Sequence, residues 1–183
     1  MQTLNWRGAR LPARKPLDGE TVRLEPLDPS RHGDELFAAT AGADATWDYL
    51  AYGPFSGREE FLGWLAARAP LEDPFTYAII DGEAGSARGL TSLMRIDAPN
   101  GVIEVGHIWL SPALQRTRQA TEALYPQARY VFDELGYRRF EWKCDALNEP
   151  SRRAAERFGF VFEGIFRQHM VIKGRNRDTA WFS

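Results

Sequence analysis

Cysteine is almost missing from this chain. Cys144 is the single one in 183 residues, so no internal disulfide can form, and a reducing compartment suits the sequence. Histidine is nearly as scarce: His32, His107 and His169 lie far apart, and no Cys-x-x-Cys or Cys/His metal spacing is present. No metal ligand set is therefore expected. Charge of one sign is also lacking. The formal net charge is -2, which gives no bulk attraction to nucleic acid or to an acidic membrane. The sequence shows no apolar run of membrane length, no secretory h-region, no internal repeat and no low-complexity linker. These absences point to a cytoplasmic protein with neither a nucleic-acid nor a membrane partner. Two phosphate-binding signatures are missing too. Without G-x-G-x-x-G or a Walker lysine pattern, a nucleotide enzyme is the weakest of the function classes considered.

What is present reads as one α/β domain. Residues 1–19 hold scattered basic residues and prolines and are expected to be an irregular arm over a domain of residues 20–183, with Trp6 as its anchor. Thr21–Leu27 alternates as a strand, and Asp28-Pro29-Ser30 starts a helix with Leu36 and Phe37 inward. Ser56 is expected to cap a second helix, with Glu59 in the capping-box position and Phe61, Leu62, Trp64 and Leu65 on its apolar face. Between those helices, Gly42–Phe55 has no period but carries Trp47, Tyr49, Tyr52 and Phe55. Strands follow at Pro74–Asp81 and Ala87–Ile96. The chain ends inside a last predicted strand, which leaves room for a further C-terminal segment.

The most informative stretch is Gly106–Gly159 with the strand that leads into it. Val102–Leu110 alternates, with Ile103, Val105, His107 and Trp109 on one face and Glu104, Gly106, Ile108 and Leu110 on the other. A satisfied core histidine is the expectation for His107. Ser111-Pro112 ends the strand, and Gln115-Arg116-Thr117-Arg118-Gln119-Ala120-Thr121 runs into a helix expected to reach Leu135. Pro126 inside that helix predicts a bend or a later start. Arg116 and Arg118 oppose the dipole of a helix N-terminus, so either an anion relieves them or they lie in solvent. A second strand, Arg138–Cys144, places Phe140, Trp142 and Cys144 on one face, which makes Cys144 a buried small residue rather than a nucleophile. Asn148 then caps a helix that begins at Ser151, and Gly159 stops it.

These residues resemble the GCN5-related N-acetyltransferase (GNAT) superfamily, and within it the branch that acetylates ribosomal-protein N-termini. The likeness is carried by the Gln115–Thr121 loop, by Asn148-Glu149-Pro150-Ser151, and by Ala155-Glu156-Arg157-Phe158-Gly159-Phe160. The sequence departs from the family's Gln/Arg-x-x-Gly-x-Gly/Ala loop, because Arg118 stands where the first glycine is expected and Ala120 at the second. The implied fold is a mixed central sheet, splayed between two strands and flanked by helices. The implied cosubstrate is acetyl-CoA, its pyrophosphate cradled by Gln115, Arg116, Thr117, Arg118, Gln119, Ala120 and Thr121. Its pantetheine arm would pair with Leu110, whose N–H, just past a bulge, would donate to the oxyanion, and would meet Asn148. The acceptor is an amine, either a protein N-terminus or a small molecule, with Trp47, Tyr49, Tyr52 and Phe55 on its side of the cleft or capping the core.

Two candidate catalytic groups follow from the same resemblance. Ser151 would donate to the leaving thiolate, or else satisfy the first turn of its helix. Glu104, taken to share a face with Leu110, would accept the amine proton, or else be a surface carboxylate. The resemblance leaves a homodimer open. The competing reading is a non-catalytic acyl-CoA-binding module of the same fold, which cofactor binding without turnover would reveal.

Overall fold

The computed structural model describes residues 3–183. Eight strands form one sheet in the order β1-β2-β3-β4-β5-β6-β8-β7. They are β1 (Leu17–Asp18), β2 (Val22–Pro26), β3 (Phe75–Asp81), β4 (Ser86–Asp97), β5 (Val102–Leu110), β6 (Arg139–Asp145), β7 (Phe162–Ile172) and β8 (Arg175–Phe182). Every neighbouring pair is antiparallel except β5 and β6, which run parallel. Helices α1 (Pro29–Ala39) and α2 (Arg58–Arg68) cover one face; α3 (Arg118–Glu122), α4 (Leu124–Arg129) and α5 (Glu149–Arg157) cover the other.

The expected arm is tied down along its length. Ala9 and Arg10 donate backbone bonds to Ala98 and Leu135, and Leu17–Asp18 pairs with β2, so the sheet begins inside the segment expected to be irregular. Trp6 donates to the Pro99 carbonyl at 2.6 Å and lies over Gly101. A Cβ on Gly101 would sit 2.4 Å from the indole, and its φ of +67° already favours glycine.

Of the first two helix starts, one is as expected and the other differs in detail. Asp28 caps α1 as expected, accepting from Ser30 N–H at 2.9 Å. In α2, Gly57 is the cap, and it is Glu60, not Glu59, that reaches back to the Ser56 N–H and hydroxyl at 2.7 Å. The helix expected to run to Leu135 is divided into α3, α4 and a π turn at Tyr130–Glu134. The division at Ala123 places Pro126 in the first turn of α4, where a helix has no acceptor for an N–H in any case.

The face pattern of β5 is the largest correction. His107 has φ +49°, and the pairing with β4 slips between Leu90 and Ser92. That is a bulge, and it reverses the alternation. Ile103 and Val105 pack with Ile108 and Leu110 on the α3–α5 side, while Trp109 turns to the α1/α2 side. There it stacks on Trp47 at 4.9 Å between ring centroids.

Candidate active site

The β5–β6 ladder ends at Val105 and Trp142. Beyond it, Gly106–Leu110 has no strand partner on that side, because β6 pairs onward with β8. A gap therefore opens inside the sheet. The Ser111 N–H bonds to the Arg88 carbonyl of β4 at 3.0 Å. By the alternation of strand backbone, the N–H of Leu110 points the other way, into the gap. The Leu110 carbonyl on that side accepts from Gln115 Nε2 at 3.0 Å.

The loop after β5 leads to the start of α3. Thr117 caps the helix: its hydroxyl accepts from Ala120 N–H at 3.1 Å and donates to the Leu114 carbonyl at 2.7 Å. Among the described residues, the N–H groups of Arg116, Arg118 and Gln119 have no acceptor. The left-handed turn of the loop falls on Arg116, with φ +61°, and not on Arg118. Arg118 is the first helical residue, so the missing glycine leaves its backbone free to face an anion. Its side chain is exposed and pairs with Glu20 in solvent. Ala120 is buried and Thr121 is exposed.

On the other side of the gap, Asn148 caps α5 by accepting from Ser151 N–H at 3.1 Å, which leaves its amide NH2 to donate. The Ser151 hydroxyl oxygen accepts from Trp142 Nε1–H at 3.0 Å. Its own proton remains available to donate. Cys144 is buried, as expected, and burial pushes its thiol pKa up.

Glu104 does not share the Leu110 face, because the bulge lies between them. Six residues of strand, roughly 20 Å, separate the two. Its carboxylate is buried, and Oε2 is held by Lys143 Nζ and by Arg95, each at 2.7 Å. Lys143 also bonds Glu141 at 2.6 Å and stands 3.9 Å from the Trp181 ring centroid. The candidate base is thus the centre of a buried ion network.

The aromatic segment divides in two. Trp47 is 1% exposed and, with Phe55 packed on it at 5.3 Å, belongs to the core and offers no face to an acceptor. Tyr52 and Tyr49 do border the gap. The Tyr52 hydroxyl lies 3.0 Å from His107 Nδ1, and Tyr49 donates to the Leu147 carbonyl at 3.1 Å. Lys173, in the β7–β8 turn, donates to the Trp47 carbonyl at 2.8 Å. These ties wall the α1/α2 side of the gap. Arg68, which the sequence reading passed over, stacks on Tyr52 and Trp64 at 4.9 and 5.0 Å.

Burial, then Arg68, Arg95 and Arg177, lower the His107 pKa to about 3, and burial raises that of Tyr52 to about 12. Both side chains are neutral at pH 7. The unfolded histidine titrates near 6.5, whereas the folded one resists protonation down to about 3. Between those values the unfolded chain binds the extra proton, so stability falls as pH drops below 6.5. Urea unfolding at pH 7 and pH 5 is expected to show a lower midpoint at pH 5, and His107→Gln is expected to flatten that difference.

A mixed sheet that opens between β5 and β6 and is flanked by helices defines a fold of the acyltransferase class. Residues 21–161 match the Acetyltransferase (GNAT) domain family, and the chain belongs to it. It is 30% identical over 168 residues to the Bacillus subtilis (strain 168) protein named "Putative ribosomal N-acetyltransferase YdaF", covering 89% of each chain. It is 28% identical over 95 residues, 52% of each chain, to the ribosomal-protein-serine acetyltransferase of Escherichia coli (strain K12). The crystal structure of a GCN5-related N-acetyltransferase from Brucella melitensis superposes with a TM-score of 0.95 at 54% identity, covering 97% of this chain and 81% of that one. The protein is an acetyl-CoA-dependent N-acetyltransferase that transfers acetyl to an amine. Among the described residues, no helix is long and apolar enough to cross a membrane.

Proposed function

We propose that the amine is the N-terminus of a protein chain and that transfer occurs in the β5–β6 gap. The observation that carries the site is the unpaired edge of Gly106–Leu110 beside the free N–H groups of Arg116, Arg118 and Gln119. Pantetheine amides would continue the sheet along β5, with the Asn148 amide as a further donor, and the pyrophosphate would take the loop N–H groups. The Leu110 N–H would donate to the thioester oxygen as negative charge develops there.

The amine nitrogen then bonds to the acetyl carbon and the carbon–sulfur bond breaks. Nitrogen gives up its proton to water, and the thiolate takes one. Ser151 is suited to the leaving group: Trp142 fills the lone pair of its oxygen and leaves the hydroxyl proton for sulfur. Glu104 is not suited to direct proton abstraction. It lies beyond hydrogen-bond reach of Leu110, and a proton on it would strip Lys143 and Arg95 of their partner. The cationic surroundings lower the pKa of an arriving amine, which favours its neutral, nucleophilic form. The acceptor class is supported by the names of the two curated relatives.

Thermal unfolding with and without acetyl-CoA tests the site. A midpoint that rises with acetyl-CoA concentration, and rises less in Asn148→Ala, is expected. An unchanged midpoint at millimolar acetyl-CoA would remove the gap as its binding place. Coenzyme A release with peptides of free and of blocked N-terminus tests the acceptor.

A further inference from the structure

Ion pairing in this protein is extensive, yet two half-buried arginines beside the gap take no part in it. Among the described residues, Arg68 and Arg177 have no carboxylate partner. Arg68 lies on the faces of Tyr52 and Trp64, and its Nη2 is buried with no hydrogen-bond acceptor. Arg177 projects from β8, and its Nε donates only to the Thr179 hydroxyl at 3.2 Å. Burial lowers the pKa of both, and for Arg177 the charge of Asp145 offsets part of that. Arg68 reaches the β5 bulge through Tyr52, whose hydroxyl lies 3.0 Å from His107 Nδ1, and Arg177 stands on β8 two residues before Thr179, the partner of Asp145 at the end of β6. Among the described residues, the carboxylates of the adjoining strands make no ion pair with either arginine. Glu104 holds Lys143 and Arg95, and Asp145 accepts from Leu147 N–H at 2.9 Å.

We propose that the acceptor carries a carboxylate close to its amine, and that the guanidiniums of Arg68 and Arg177 bind it beside His107. This rests on the acetyl-transfer reading of the gap. His107 lies three residues from Leu110, so amine and carboxylate are separated by no more than roughly 10 Å. Two sources have that chemistry: a peptide with Asp or Glu at its first or second position, and a free amino acid. A guanidinium binds either one through paired N–H groups.

The test measures kcat/KM from coenzyme A release by the full chain. One arm compares peptide amides beginning Ser-Asp, Ser-Asn and Ser-Lys. The other compares free serine and glutamate with serinamide and glutamine amide. The acidic member of an arm is expected to exceed its neutral counterpart about ten- to a hundredfold, the worth of a charge-assisted hydrogen bond. The arm that shows the preference identifies the source. Arg68→Gln and Arg177→Gln are each expected to bring the acidic-to-neutral ratio close to one. Because Arg68 also packs on aromatic rings, its variant is first checked by thermal unfolding, and Arg177→Gln carries the test if that variant is unstable. Equal rates for acidic and neutral acceptors, or a preference that survives both substitutions, would overturn the proposal; so would faster turnover of the lysine peptide. Failure of the gap itself would show separately, as loss of the acetyl-CoA-dependent rise in unfolding midpoint.

Discussion

Lys143→Met is expected to lower the stability of the fold by about 3 kcal/mol, a drop of roughly 6–12 °C in unfolding midpoint for a domain of this size. The Lys143 side chain is 4% exposed and joins Glu104 to Glu141 across β5 and β6. Removing it leaves two buried carboxylates that each keep one arginine, Arg95 for Glu104 and Arg139 for Glu141. That residual pairing holds the loss to the lower end of the range for a broken buried pair. Adding Glu104→Gln to the variant is expected to recover part of the loss, because the charge left unpaired is then gone. Differential scanning calorimetry of the two single variants and the double variant measures the coupling. Additive losses would show that the network is not a unit.

The second large effect is on catalysis. Ser151→Ala is expected to reduce kcat about ten- to a hundredfold with little change in the KM for acetyl-CoA. The hydroxyl would act on the thiolate, which forms only as the carbon–sulfur bond breaks, so its loss falls on the transition state. The alternative role, satisfying the first turn of α5, makes a different prediction. Asn148 caps that turn through the Ser151 backbone N–H, which alanine retains. An unchanged kcat with a lowered unfolding midpoint would assign Ser151 to the helix alone. Cys144→Ser is the companion variant. A buried thiol that takes no part in transfer predicts a loss of stability without a comparable loss of kcat.

The misplacement of Glu104 shows where local reasoning stops. Alternation from Ile103 to Leu110 is a genuine strand signal, and β5 spans the residues expected. One residue in the left-handed region, His107, then turned half of the side chains to the other layer. Histidine is among the non-glycine residues enriched at positive φ, but most histidines still lie at negative φ, so its identity alone does not announce the turn. Arg118 teaches the reverse. Its lack of conformity with a glycine pattern was visible in the sequence, but the strained position is Arg116, two residues earlier in the loop. Thr117, with its cap to Ala120, then starts the helix without glycine. Pro126 was legible as a conflict, and the division of α3 from α4 is its resolution.

By itself the sequence determined the order of the elements from β2 onward, the caps at Asp28 and Asn148 and the burial of Cys144. All of these depend on residues close together in the chain, where period, proline and capping chemistry act directly. Tertiary structure alone decided which charges are spent. Glu104 and Lys143 are 39 residues apart and meet only because β5 and β6 pair. Arg68 and Arg177 are 109 residues apart in the chain, one on α2 and the other on β8, and among the described residues neither forms an ion pair. Counter-ions are assigned by distance in space, and a sequence read for local periodicity does not contain that distance.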